Sequence, residues 1–160
     1  ARSSLPRLSY ATIPGSGYCS GCEALMWYEA EITIPAGTAQ ASPTIVELHV
    51  AYGIIHRVVV EAAPGCHRLA AIRLYYSEHQ IYPSNPDEDI ALDAVPRIFE
   101  DRQPVLQPPF IVKIKGYSPS ATYAHTYRVG IGIMAPEAFP EYRADTGILS
   151  KVGRLLGVSK

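Results

Sequence analysis

The sequence predicts an all-β domain, an antiparallel β-sandwich of jelly-roll type with about eight strands. Three observations carry this. Short runs of alternating apolar and polar residues recur between positions 28 and 133. Turn chemistry separates them at Pro35-Ala36-Gly37, Pro64-Gly65, Pro83-Ser84-Asn85-Pro86-Asp87 and Ser118-Pro119-Ser120. No segment between these runs keeps a helical period.

A chain of 160 residues suits one core. Its patterning divides it into an extended N-terminal arm (1–25), a sandwich (26–135) and a C-terminal tail with a short helix (136–160). The arm has no sustained period and is broken at Pro6, Pro14, Gly15, Gly17 and Gly21, so its shape is expected to come from a neighbouring subunit. Leu5, Leu8, Tyr10, Ile13 and Tyr18 are its candidate anchors.

From Met26 onward, Tyr28, Ala30, Ile32 and Ile34 share one face and Glu29, Glu31 and Thr33 the other, which predicts a half-buried strand. In 44–50, Val46, Leu48 and Val50 alternate with Ile45, Glu47 and His49. Tyr52-Gly53 separates that run from 54–62, and the two read as a hairpin. A further strand is expected over 68–76, with Arg73 on its solvent or interface side, followed by short segments at 79–82, 89–93 and 97–100. Phe110, Val112 and Ile114 alternate with Lys113 and Lys115, and a last strand covers 125–133. Gly130 and Gly132 fall on one face of it, which predicts a backbone or side chain packed closely across them. In the tail, Ile148, Leu149, Val152, Leu155 and Leu156 form one helical stripe, with Lys151, Arg154 and Lys160 suiting the C-terminal end of the dipole. Gly153 and Gly157 weaken that helix, so it is expected to fold against this domain or the next subunit.

Charge sets limits on function. Fourteen Lys and Arg against 15 Asp and Glu leave a net charge of −1, so no basic excess exists to neutralise a phosphate backbone and no nucleic-acid partner is expected. Charged residues are only 18% of the chain, a composition that favours association. No stretch reaches the roughly 18 consecutive apolar residues of a membrane helix, so no membrane insertion is expected. Two Met and a single Asn are a low load of heat-labile side chains and fit a thermophile, whereas the low charge content counts against one.

Motifs for chemistry are sparse. Cys19-Ser20-Gly21-Cys22 could be a disulfide, a pair of free thiols, or half of a zinc site completed by Cys66 and His67. With three cysteines, one must stay unpaired or pair between chains. His49, His56, His67, His79 and His125 lack metal-binding spacing and read as strand or loop residues, although His79 and His125 could meet in space. Asp87, Glu88, Asp89 and Asp93 could hold calcium but lack the EF-hand order, so a solvated loop is the simpler reading. No nucleophile elbow, P-loop or dinucleotide fingerprint is present. The expectation is a protein that is not an enzyme and binds no cofactor.

Eleven tyrosines against three Phe point to interfaces, where a ring with a hydroxyl is favoured. Tyr10, Tyr18, Tyr75, Tyr76, Tyr82, Tyr117, Tyr123 and Tyr142 fall in or beside expected loops and arms.

Four stretches carry a family resemblance: Tyr28-Glu29-Ala30-Glu31-Ile32-Thr33-Ile34-Pro35, Pro64-Gly65-Cys66, His79-Gln80-Ile81-Tyr82-Pro83-Ser84-Asn85-Pro86, and 123–129. In these the chain resembles small, poorly characterised β-sandwich proteins of environmental and tailed-phage sequences. The resemblance implies a virion or surface-assembly component without known catalysis. The arm and the tail lie outside it. Together with the composition, it leads to the expectation of a capsid decoration, cement or minor coat subunit located in the virion. Its partners would be copies of itself, a major capsid protein or another assembly protein. The alternatives are a subunit of a helical filament or tube, and a secreted or cell-surface module that binds carbohydrate through Tyr82, Tyr117 and Tyr123.

Overall fold

The computed structural model describes residues 25–139. The arm anchors Leu5, Leu8, Tyr10, Ile13 and Tyr18, the cysteines Cys19 and Cys22, and the helical stripe Ile148, Leu149, Val152, Leu155 and Leu156 all lie outside the described residues. The expected C-terminal helix lies there too.

Eight strands follow one another: β1 (Leu25–Ile34), β2 (Thr44–His49), β3 (Gly53–Ala62), β4 (Ala71–Tyr76), β5 (His79–Tyr82), β6 (Arg97–Val105), β7 (Ile111–Tyr117) and β8 (His125–Met134). A single 3₁₀ turn, Pro136–Ala138, is the only helical element among the described residues. The strands form two antiparallel four-stranded sheets, ordered β1-β8-β3-β6 and β2-β7-β4-β5.

Alternation decides which face each strand buries. Ile32 and Ile34 of β1, Val58 and Val60 of β3, and Val129, Ile131 and Ile133 of β8 point into one core, where they meet Ile72, Leu74, Val112 and Ile114 of the other sheet. Glycine lets the sheets close at one point. A Cβ on Gly116 of β7 would stand 2.6 Å from Ile34 Cδ1 and 2.7 Å from Cγ1, so the absent side chain makes room for β1.

Several expected elements differ from the structure. The pair at 44–50 and 54–62 is not a hairpin, because β2 and β3 belong to different sheets. After β2, the Val50 N–H continues the ladder with the Phe110 carbonyl (2.9 Å), and the chain then crosses to the opposite sheet at Gly53. Both strands are apolar on one side, and local pattern cannot say whether those sides lie in one sheet or face each other across the core. The strand expected over 68–76 begins only at Ala71, since His67 and Arg68 hold positive φ values of 45° and 58° in a turn. Residues 89–93 make one bridge, Ile72 to Ile90, rather than a strand. In contrast, β6 runs on through Glu100-Asp101-Arg102 and Pro104 to Val105. It pairs only with β3, and an edge strand tolerates charges and a proline that a central strand would not.

Polar ties lock the sheets together. The Tyr127 hydroxyl on β8 donates to the Ala70 carbonyl (2.6 Å) and accepts from the Leu92 N–H (3.2 Å), tying β8 to two connections that run between the sheets, β3 to β4 and β5 to β6. At the β5 and β6 edges, the Tyr82 and Phe99 rings pack 5.2 Å apart. After β8, the Phe139 ring lies 5.3 Å from the Arg102 guanidinium of β6. Ile54 of β3, which pairs with Met134, is fully buried although it lies outside the main core cluster.

The register also gives the body two ends. Leu25 pairs with Met134, which pairs with Ile54, so the described chain begins and finishes at the end carrying the connection between β2 and β3. The long connections 35–43, 63–70, 83–96 and 118–124 cluster at the opposite end.

Burial pushes up the phenols of Tyr82, Tyr117 and Tyr127, that of Tyr117 to about 12. In each case loss of water is the main cause, with nearby carboxylates adding to it. The folded state thus holds these protons more tightly than the unfolded chain. Stability is complete below pH 10, the ordinary tyrosine value, and falls as pH rises from there toward 12. A urea midpoint that drops steadily between about pH 10 and 12, followed by circular dichroism, is the expected result.

Candidate interaction surface

The outer face of the β1-β8-β3-β6 sheet is built by the residues that alternate away from the core. On β1 these are Leu25, Trp27, Glu29, Glu31 and Thr33; opposite them on β8 stand Met134, Gly132, Gly130, Arg128 and Thr126. Two glycines in successive outward positions leave a bare strip of backbone, and the Trp27 indole lies across it. A methyl group on Gly130 would overlap Trp27 Cζ2 and stand 3.0 Å from Cε2; one on Gly132 would stand 3.2 Å from Cζ3 and 2.7 Å from His56 Nε2. This is the close approach expected from the glycine spacing, and its occupant is now identified.

The indole is held as well as floored. Its N–H donates to Glu29 Oε1 at 2.8 Å. Even so, the residue remains 46% exposed. Beside it a shallow depression is lined by Glu29, Val59, Glu61, Arg128 and Gly130. Arg128 leans toward Glu31, 3.7 Å away, whereas the Glu61 carboxylate has no partner among the described residues. The indole is thus a large aromatic surface fixed in place yet left open.

If the glycine strip seats the indole, Gly130→Ala should unseat it. We expect a red-shifted, more quenchable fluorescence from the chain's single tryptophan and a stability loss of roughly 1–3 kcal/mol from overpacking. Unchanged emission and an unchanged unfolding midpoint would show that the strip does not matter.

The outer face of the other sheet is a finished charge network. Lys113 and Lys115 both reach Glu78, Lys115 Nζ at 3.8 Å, and Lys115 also sits 4.0 Å above the Tyr75 ring. The pairing with Lys113, seconded by Lys115, draws the exposed Glu78 carboxyl below its ordinary pKa. Arg73 Nε donates to Asp89 Oδ1 at 2.5 Å and Nη2 to the Asp87 carbonyl at 2.7 Å. The hydrogen bond to Asp89 holds the Arg73 guanidinium protonated well beyond its ordinary range.

These contacts reassign several residues singled out in the sequence. Asp87 and Asp89 serve Arg73, while Asp93 accepts from the Gly65 N–H (3.1 Å) and approaches His67 Nδ1 (3.4 Å). No cluster of three or more His, Cys, Asp or Glu suited to a metal occurs among the described residues. Cys66 is packed in the core, where burial pushes its thiol up, while the His67 side chain faces water. His79 and His125 do not meet: His125 pairs with Ile34, which abuts Gly116, whereas His79 pairs with Tyr76, at the Val112 end of β7.

Gln80, at the heart of the most distinctive stretch, donates its amide to the carbonyls of Pro83 (2.8 Å), Asn85 (3.0 Å) and Glu88 (3.2 Å). That stretch closes a loop whose Tyr82–Pro83 bond is cis. Its role is architectural. The tyrosines proposed for sugar stacking separate in the same way: Tyr82 and Tyr117 are buried, and only Tyr123, 77% exposed, could stack on a ligand. Tyr75 and Tyr76 are half-buried at the end of β4, beside the turn at Ser77 and Glu78 as expected. Burial therefore removes the carbohydrate platform.

A cleft of about 660 Å³ runs between the β5 and β6 edges, its lining including Tyr76, Ser77, His79, Gln80, Gln103 and Gln107. There the Tyr76 hydroxyl is committed, donating to the Gln107 carbonyl.

No family model matches the chain, and no curated protein matches it. Among solved structures it is similar to a chain of the cyanophage Pam1 capsid asymmetric unit, with a TM-score of 0.50 and 14% identity, over 85% of this chain and 98% of that chain. At that identity the likeness is one of fold. No helix among the described residues is long and apolar enough to cross a membrane.

Proposed function

We propose that the chain is a non-enzymatic structural protein of a phage virion, a capsid decoration, cement or minor coat subunit that works by binding its neighbours. The likeness to the Pam1 capsid chain carries the reading. It spans 85% of this chain and 98% of that chain, so the resemblance takes in the sandwich as a whole rather than one sheet of it. The strand orders β1-β8-β3-β6 and β2-β7-β4-β5 support it, because two interleaved Greek keys give the jelly-roll sandwich that recurs in viral capsids. Lectins and cupins share that architecture, so fold alone would not decide. The open Trp27 surface adds weight toward binding a protein partner.

In this reading the sandwich is a rigid body, and the segments flanking it reach adjacent subunits, either further copies or a shell protein. Deletion of residues 1–24, which stops short of β1, tests the role of the arm. The truncated chain should keep its β-sheet circular dichroism and its unfolding midpoint yet fail to join particles that lack the native subunit. Undiminished incorporation would overturn the arm's part. Particles that refuse the full-length chain as well would overturn the virion assignment.

A further inference from the structure

We infer that the Trp27 surface is a receptor for an arginine side chain presented by a neighbouring subunit; this deepens the assembly reading and rests on it for the identity of the partner. The argument starts from what remains unsatisfied. Glu29 spends one oxygen on the indole N–H, and Arg128 turns toward Glu31. Glu61 makes no hydrogen bond or ion pair within the described residues, although Arg128 faces it across the strands, and both line a depression together with Gly130 and the indole.

Around the indole, the carboxylates of Glu29, Glu31 and Glu61 outnumber the guanidinium groups of Arg57 and Arg128, and an aromatic ring in an acidic surround selects a cation. Indole is the best of the aromatic rings for cation–π attraction, and a planar guanidinium can stack on the ring while its N–H fork meets the carboxylate. A sugar would use the same face differently, through polar donors on the rim. The indole N–H is already committed to Glu29, which weakens that use.

The single tryptophan makes the site its own reporter. The full chain is titrated with a capped Gly-Arg-Gly peptide, with its citrulline twin, which keeps the shape but not the charge, and with methyl glucoside. A saturable change in Trp27 fluorescence is expected with the arginine peptide, at a dissociation constant on the order of 1 mM. The citrulline peptide should bind at least about fivefold more weakly, and Glu61→Gln, an exposed and nearly isosteric change, should weaken the arginine peptide by a similar factor. Equal responses to the two peptides, an unaffected Glu61→Gln, or saturation by methyl glucoside instead would each overturn the assignment. No particle enters this titration, so its failure is distinct from a failure of incorporation. A chain that binds the peptide but joins no particle keeps the site and loses the virion reading.

Discussion

Replacing Tyr127 by phenylalanine is expected to lower the unfolding free energy by roughly 2–4 kcal/mol, although only one oxygen is removed. That oxygen serves two backbone groups at once, accepting from the Leu92 N–H and donating to the Ala70 carbonyl. Ala70 and Tyr127 are fully buried and Leu92 nearly so, which leaves water little access to either orphan. Each unsatisfied group costs about 1–3 kcal/mol, whereas the ring and its packing are unchanged. A urea titration should therefore show a lower midpoint with the same slope. A loss under about 0.5 kcal/mol would mean that the hydroxyl is not the tie between the sheets.

Arg73→Met should be nearly as damaging, for a different reason. The side chain is only 11% exposed and holds the 83–90 connection through Asp89 and the Asp87 carbonyl. Methionine fills the space but strands a partly buried carboxylate. We expect a loss of roughly 2–3 kcal/mol, below the 3–5 typical of a fully buried pair because Asp89 keeps some contact with water. Arg73→Lys should recover little, since one ammonium cannot reproduce the two-pronged contact. Limited proteolysis offers an independent readout, with new cleavage expected within 83–90 in Arg73→Met. A variant as stable and as resistant as the parent would remove Arg73 from its structural role.

Part of this was legible in the residues alone. The inward and outward sides of β1 and β2 follow from strict alternation, and the paired glycines of β8 announced a close approach that Trp27 makes. Extending the outward series Glu29, Glu31, Thr33 back by two reaches Trp27, the occupant, but alternation alone does not say which way a side chain leans along its sheet. The partner of each strand was not legible. β2 and β3 are sequence neighbours in different sheets, while β1 pairs with β8 from the far end of the domain, and pairing of that kind is set by the shared core rather than by any local signal. The extent of β6 was hidden for a related reason, because its charges and proline are permitted only by an edge position that the sequence does not reveal. Loop tyrosines misled because Tyr82 and Tyr117 sit where strands end, facing inward or beneath Arg73.

The two-ended body has a practical corollary. Residues 25 and 139 share one pole, and the turn at 118–124, with its exposed Tyr123, belongs to the other. A peptide epitope grafted at that far turn would sit a full strand length from residues 25 and 139, so an insertion there leaves the opposite pole untouched.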